Sequence, residues 1–109
     1  MLRIRPIMNS AVEEIFAFKV CCGPKAFDQN LEILITNEGD LPVEVQSRFD
    51  LRSGSQIHRF DTLMPHGLQR IEPGRVIAFY CNMDEVLWEK SEELIFYDRE
   101  GNAYPARIT

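Results

Sequence analysis

Pro42-Val43-Glu44-Val45-Gln46-Ser47-Arg48-Phe49-Asp50-Leu51 decides the fold. Val43, Val45, Phe49 and Leu51 fall on one side of an extended chain, with Ser47 between them. Glu44, Gln46, Arg48 and Asp50 fall on the other side. A helix through these residues would bury several acids and an arginine, whereas a strand puts the apolar set on a core and the charged set in water.

Working outward, short strand signals alternate with turn signals. Downstream, Arg52-Ser53-Gly54-Ser55 is a hairpin turn into Gln56–Leu63. There Ile57, Phe60 and Leu63 recur every three residues, which a bulge or an edge position explains. Leu68–Ile71 forms a short strand, and Glu72-Pro73-Gly74-Arg75 is a turn with proline preset for its second position. Val76–Cys81 is a near-continuous apolar run, which predicts a strand covered on both faces. Asn82 followed by Glu85 predicts a cap and a helix of one or two turns at about 83–90, with Trp88 covering an end of the core. Glu93–Asp98, a tight turn at Asp98–Asn102 and a last strand at Ala103–Ile108 complete the series.

Upstream, Asn30–Asn37 points Leu31, Ile33 and Ile35 inward and turns at Asn37-Glu38-Gly39-Asp40. Glu14–Val20 places Phe16, Phe18 and Val20 on one face, and Cys21-Cys22-Gly23-Pro24 ends it. Seven or eight strands at roughly 8–12 residue spacing predict an all-β antiparallel sandwich or barrel. With 109 residues and no linker or repeat, the chain is a single domain, 1–109, with its core at about 14–108.

Composition limits function. Hydrophobic residues make up 45% of the chain, enough for one core. The net charge of −5 supplies no general field for a polyanion, so neither nucleic acid nor an anionic membrane is expected as partner. Met1–Asn9 carries Arg3 and Arg5 without a following apolar run of signal-peptide length, and no stretch approaches the ~20 residues of a membrane helix. A cytoplasmic protein is expected.

The order of turn and strand signals resembles prokaryotic immunoglobulin-like domains of the fibronectin-type and adhesion-module kind. Leu31–Asp40 followed by Pro42–Val45, the Ile71-Glu72-Pro73-Gly74 turn and the Phe96–Tyr104 hairpin carry the resemblance. It implies an immunoglobulin-like antiparallel sandwich, a fold that hosts adhesins, chaperones, inhibitors and enzyme appendages. Antibody-type domains pair a cysteine of the second strand with one of the sixth around a tryptophan of the third. Here Asn30–Asn37 has no cysteine and Trp88 comes late, which sets the chain apart from antibody-type domains.

Three cysteines, Cys21, Cys22 and Cys81, leave an odd count. They read either as small buried hydrophobes in a reducing compartment or as one bridge from the adjacent pair to Cys81 with a thiol left over. Together with His58 or His66 they could form a zinc set, but adjacent cysteines on opposite strand faces cannot easily share one tetrahedral ion. No phosphate loop, dinucleotide glycine pattern, zinc-protease motif or serine elbow occurs. If strands alternate up and down, Asn37–Asp40, Glu72–Arg75 and Asp98–Asn102 meet at one end. That end gathers Glu38, Asp40, Glu72, Asp98 and Glu100 as a surface for a basic partner or a calcium ion, or simply as solvated turn residues. Arg48, Arg52, His58, Arg59 and Arg70 form a loose basic group around the central hairpin.

The expected function is therefore a non-catalytic interaction module without cofactor or metal. It binds another protein through the 56–63 edge or the acidic turns, as a monomer or weak homodimer. Two alternatives remain open. One is a thiol-dependent redox or metal-binding protein using Cys21, Cys22 or Cys81. The other is a small protease-inhibitor-like domain offering the Asp98–Asn102 tip, with Gly101, or Gly23-Pro24.

Overall fold

The computed structural model describes residues 2–8 and 30–108, and Glu14–Val20, Cys21, Cys22 and Gly23-Pro24 lie outside them. The described chain forms eight strands and one short helix: β1 Leu2–Met8, β2 Leu31–Asn37, β3 Val43–Ser53, β4 Gln56–Phe60, β5 Gln69–Ile71, β6 Val76–Cys81, α1 Glu85–Lys90, β7 Glu93–Asp98 and β8 Ala103–Arg107. All strand pairs are antiparallel. They make two sheets, β1-β2-β6 and β4-β3-β7-β8, with β5 also pairing β3. This is the all-β sandwich that the strand spacing implied.

The sheets form because their apolar residues sit two apart. Leu31, Ile33 and Ile35 of β2, Val45, Phe49 and Leu51 of β3, Phe79 and Cys81 of β6, and Leu94 and Phe96 of β7 are buried together. Phe96 lies 5.5 Å from Phe49 beside it and 5.5 Å from Phe79 of the opposite sheet, so an aromatic stack joins the two layers. Leu2, Ile4 and Met8 of β1, a strand not foreseen in the sequence, pack against this core.

Several expectations need correction. Val76–Cys81 is not covered on both faces: Phe79 and Cys81 point inward, but Val76 and Tyr80 are exposed. A continuous apolar run does not distinguish a sheathed strand from a one-faced strand with an apolar outer side. Of the bulge or edge position expected for Gln56–Leu63, β4 takes the edge, and the bulge lies instead in β3, where Val45 faces Asp98 and Phe49 faces Phe96. Two extra residues fit there, an even number, so Val45 and Phe49 both stay inward. β4 runs in regular register from Phe60 opposite Phe49 to Gln56 opposite Ser53, and stops at Phe60. Gly54, at φ 60°, makes the two-residue turn between them. The helix is capped by Asp84, whose Oδ2 accepts from Leu87 N at 3.3 Å, rather than by Asn82. Its half-buried Leu87 and Trp88 close over the core.

Candidate binding edge and cleft

β3 has β7 on one side and β4 and β5 on the other, β5 at residues 43–45 and β4 at residues 49–53. Between those two pairings the chain leaves the sheet. Met64 crosses to the opposite sheet, where Met64 N donates to Tyr80 O at 2.9 Å and Tyr80 N donates to Met64 O at 2.8 Å. The crossing is anchored by buried Leu63 and by Gly67 N, which donates to Ser47 Oγ at 2.9 Å. It leaves a cleft of about 480 Å³ lined by Gln46, Ser47, Arg48, Asp61, His66, Gly67, Leu68 and Arg99.

Beside this cleft, β4 is an open edge among the described residues, paired only with β3. On its outward side Ile57 is 53% exposed. His58, opposite Leu51, and Phe60, opposite Phe49, turn toward the core side, and Phe60 stacks on Phe49 at 5.2 Å. Of the other outer strands, β5 offers only three residues, and the rest carry features that hinder further pairing. β1 contains Pro6, β8 contains Pro105, and β6 is bridged by Met64.

The outer face of β3 is a polar network. Arg48 Nε donates to Gln46 Oε1 at 3.0 Å, and its guanidinium carbon lies 4.3 Å from the centre of the Tyr97 ring. The Tyr97 hydroxyl donates to Asp50 Oδ2 at 2.7 Å. That hydrogen bond, with burial and the Asp50 charge, raises the phenol above its ordinary pKa, against the opposing charges of Arg48 and Arg59. Asp50 itself is buried on the face that the sequence pattern assigned to water, beneath Tyr97 and 3.7 Å from Arg59 Nε.

The three acidic turns do share one end. Asn37 N donates to Arg75 O at 2.9 Å and Gly74 N donates to Asn37 O at 2.8 Å, tying the first turn to the second. Arg99 N donates to Glu44 O at 2.9 Å, holding the third against the start of β3. Their charges, however, are largely occupied. Glu38 pairs with Arg3, Glu72 with Arg70, and Glu44 with Arg99. Asp98 is buried within its own turn, where Oδ1 accepts from Asn102 N at 2.8 Å and Oδ2 accepts from Asn102 Nδ2 and Tyr104 Oη, each at 3.0 Å. Burial by itself would raise the Asp98 carboxyl pKa, but the donors of Asn102, Tyr104 and the Glu100 backbone outweigh it and hold it below its ordinary value. Asp40 and Glu100 are exposed. The Asp98–Asn102 tip, with Gly101 at φ 87°, is a closed hydrogen-bonded turn.

Cys81 is a buried free thiol, and desolvation pushes its pKa up to about 12, so it supplies almost no thiolate near neutral pH. Among the described residues no three His, Cys, Asp or Glu side chains are grouped to hold a metal ion, and no helix is long and apolar enough to cross a membrane. His58 and His66 lie on different elements, β4 and the crossing loop. The cleft was not legible in the sequence, because it forms where β4 ends and β5 has not begun. Comparison with protein-family models, curated proteins and solved structures gives no match for this chain.

Proposed function

We propose that this sandwich is a non-catalytic interaction module of the immunoglobulin-like kind, which takes an extended segment of another protein onto the β4 edge. The strand order supports the immunoglobulin-like reading. β1, β2 and β6 correspond to strands A, B and E of that scheme, and β3, β7 and β8 to C, F and G, with β4 beside C. The observation that carries the functional reading is the proline-free β4, open among the described residues and with exposed Ile57, beside outer strands that are short, proline-bearing or bridged. Added strands gain affinity from main-chain hydrogen bonds and selectivity from alternate side chains. The acidic turns are a poorer surface, because ion pairs and internal hydrogen bonds already engage Glu38, Glu72 and Asp98. The buried thiol of Cys81 fits a module working in a reducing compartment such as the cytoplasm.

The test is affinity capture from the native host with the wild-type chain and with Ile57→Lys, a charge of the kind that blocks edge pairing. The wild type is expected to retain a partner that the variant loses. The same set of proteins on both, or none on the wild type, contradicts the proposal. Sedimentation of the purified chain identifies the case in which the partner is a second copy.

A further inference from the structure

Among the described residues, Arg48 stands in the cleft as a cation without a counter-ion. The other arginines of the central hairpin region are paired: Arg52 with Glu92 and Glu93, Arg59 with Asp50, Arg70 with Glu72. Arg99, across the cleft, pairs with Glu44. Among the described residues Arg48 has only the neutral oxygen of Gln46 and the Tyr97 ring, and its Nη1 is buried with no acceptor. A buried donor left open in this way calls for an acceptor. The Tyr97 ring beneath it and the Gln46 hydrogen bond hold the guanidinium, and a guanidinium's N–H donors match a planar carboxylate.

Asp61 explains why the cleft exists and what it admits. Continuing the β3–β4 register by one step beyond Phe49 and Phe60 would set Asp61 opposite Arg48. The chain turns away at that point, and the two form no ion pair but line the same cleft. Asp61 therefore opposes a doubly charged anion such as phosphate more than a singly charged one. A segment paired along β4 and continuing past Phe60 runs alongside this opening.

We propose that the cleft receives one carboxylate, borne by an acidic side chain of the segment docked on β4, with Arg48 as the receiving cation. This rests on the edge-docking reading above, but the chemistry of the cleft is testable alone. The probes are acetate and inorganic phosphate, followed through the Arg48 Nε–H and Gly67 amide NMR signals. Acetate is expected to shift both saturably and to bind more tightly than phosphate. Arg48→Gln abolishes the acetate response, Arg48→Lys weakens it about tenfold through loss of the fork, and Asp61→Asn tightens it. Absence of a saturable acetate shift in the wild type, an unchanged affinity in Arg48→Lys, or tighter phosphate than acetate overturns the assignment. Should Arg48→Gln fail to fold, Arg48→Lys and Asp61→Asn decide the question. Ile57→Lys is expected to keep acetate binding. Acetate binding with no partner loss in Ile57→Lys defeats the edge and leaves the cleft, and partner loss without acetate binding does the reverse.

Discussion

Asn37 ends β2 as a fully buried amide with every polar group engaged. Nδ2 donates to Leu41 O at 2.8 Å and Ile71 O at 2.9 Å, and Oδ1 accepts from Gly39 N at 2.9 Å. One side chain thus holds the 38–42 turn and the end of β5 together. Asn37→Ala leaves the buried Ile71 carbonyl without its donor, unties the Leu41 and Gly39 backbone groups of the turn, and is expected to lower unfolding free energy by roughly 1–3 kcal/mol, measured by denaturant titration. A loss within about 0.5 kcal/mol, the range of ordinary surface changes, would contradict this role. Asp98 plays the matching part in the β7–β8 turn, and its depressed carboxyl pKa links the turn to pH. A carboxyl with a lower pKa in the folded state contributes its full stability above the unfolded value of ~4, and loses it as pH falls through the lower folded value. Asp98→Asn is expected to be less stable near neutral pH, because one of the two acceptor oxygens becomes an NH2 group facing a donor of Asn102 or Tyr104. It should also lose less stability than the wild type on acidification. Equal acid slopes would show that Asp98 is not the group responsible. Both residues were legible as turn formers, since Asn and Asp before glycine favour turns. Their burial was not, because the Ile71 carbonyl that engages Asn37 lies far along the chain and leaves no local trace.

At the scale of the element, β3 was legible because its period survives the bulge. Inserting two residues keeps side-chain parity, so the alternation of Val43 to Leu51 reads straight through an interruption in pairing with β7. β4 was harder to read. Its three-residue rhythm arises because the strand stops at Phe60 and Leu63 enters the core from the crossing loop, not from the strand. The covered-strand reading of β6 failed for a related reason: Val76, Ala78 and Tyr80 are an apolar outer face, which hydrophobicity alone cannot tell from a second core face. Ile57 sits on the open side of β4 and is half exposed, so Ile57→Lys is expected to change stability by no more than about 0.5 kcal/mol. The same denaturant titration checks this. A large loss would mean that Ile57 supports the fold, and its use as an edge probe would fail.

For the whole molecule, period-two patterning and turn chemistry were enough to give two antiparallel layers and one short helix, because those signals are local. Which strands become neighbours was not local. β2 pairs with β6 and β3 with β7 across long stretches of sequence, and only that assembly creates the cleft at the end of β4, whereas the 56–63 edge and the shared end of the three acidic turns were already implied by strand rhythm and alternation. The cleft followed from topology, while of the surfaces singled out in advance the 56–63 edge was found by its irregular period and Glu38, Asp40, Glu72, Asp98 and Glu100 by turn composition. The proposed β4 edge and the alternative acidic turns are the two candidate surfaces for a partner, and only Arg99 of the 98–102 turn lines the cleft beside the edge. Hydrogen–deuterium exchange of the chain, alone and with its captured partner, separates them most directly. The account predicts new protection at residues 56–60 and 46–48, with the 38–40 and 72–75 turns unchanged. Protection confined to those turns, with β4 exchanging as in the free chain, would contradict it.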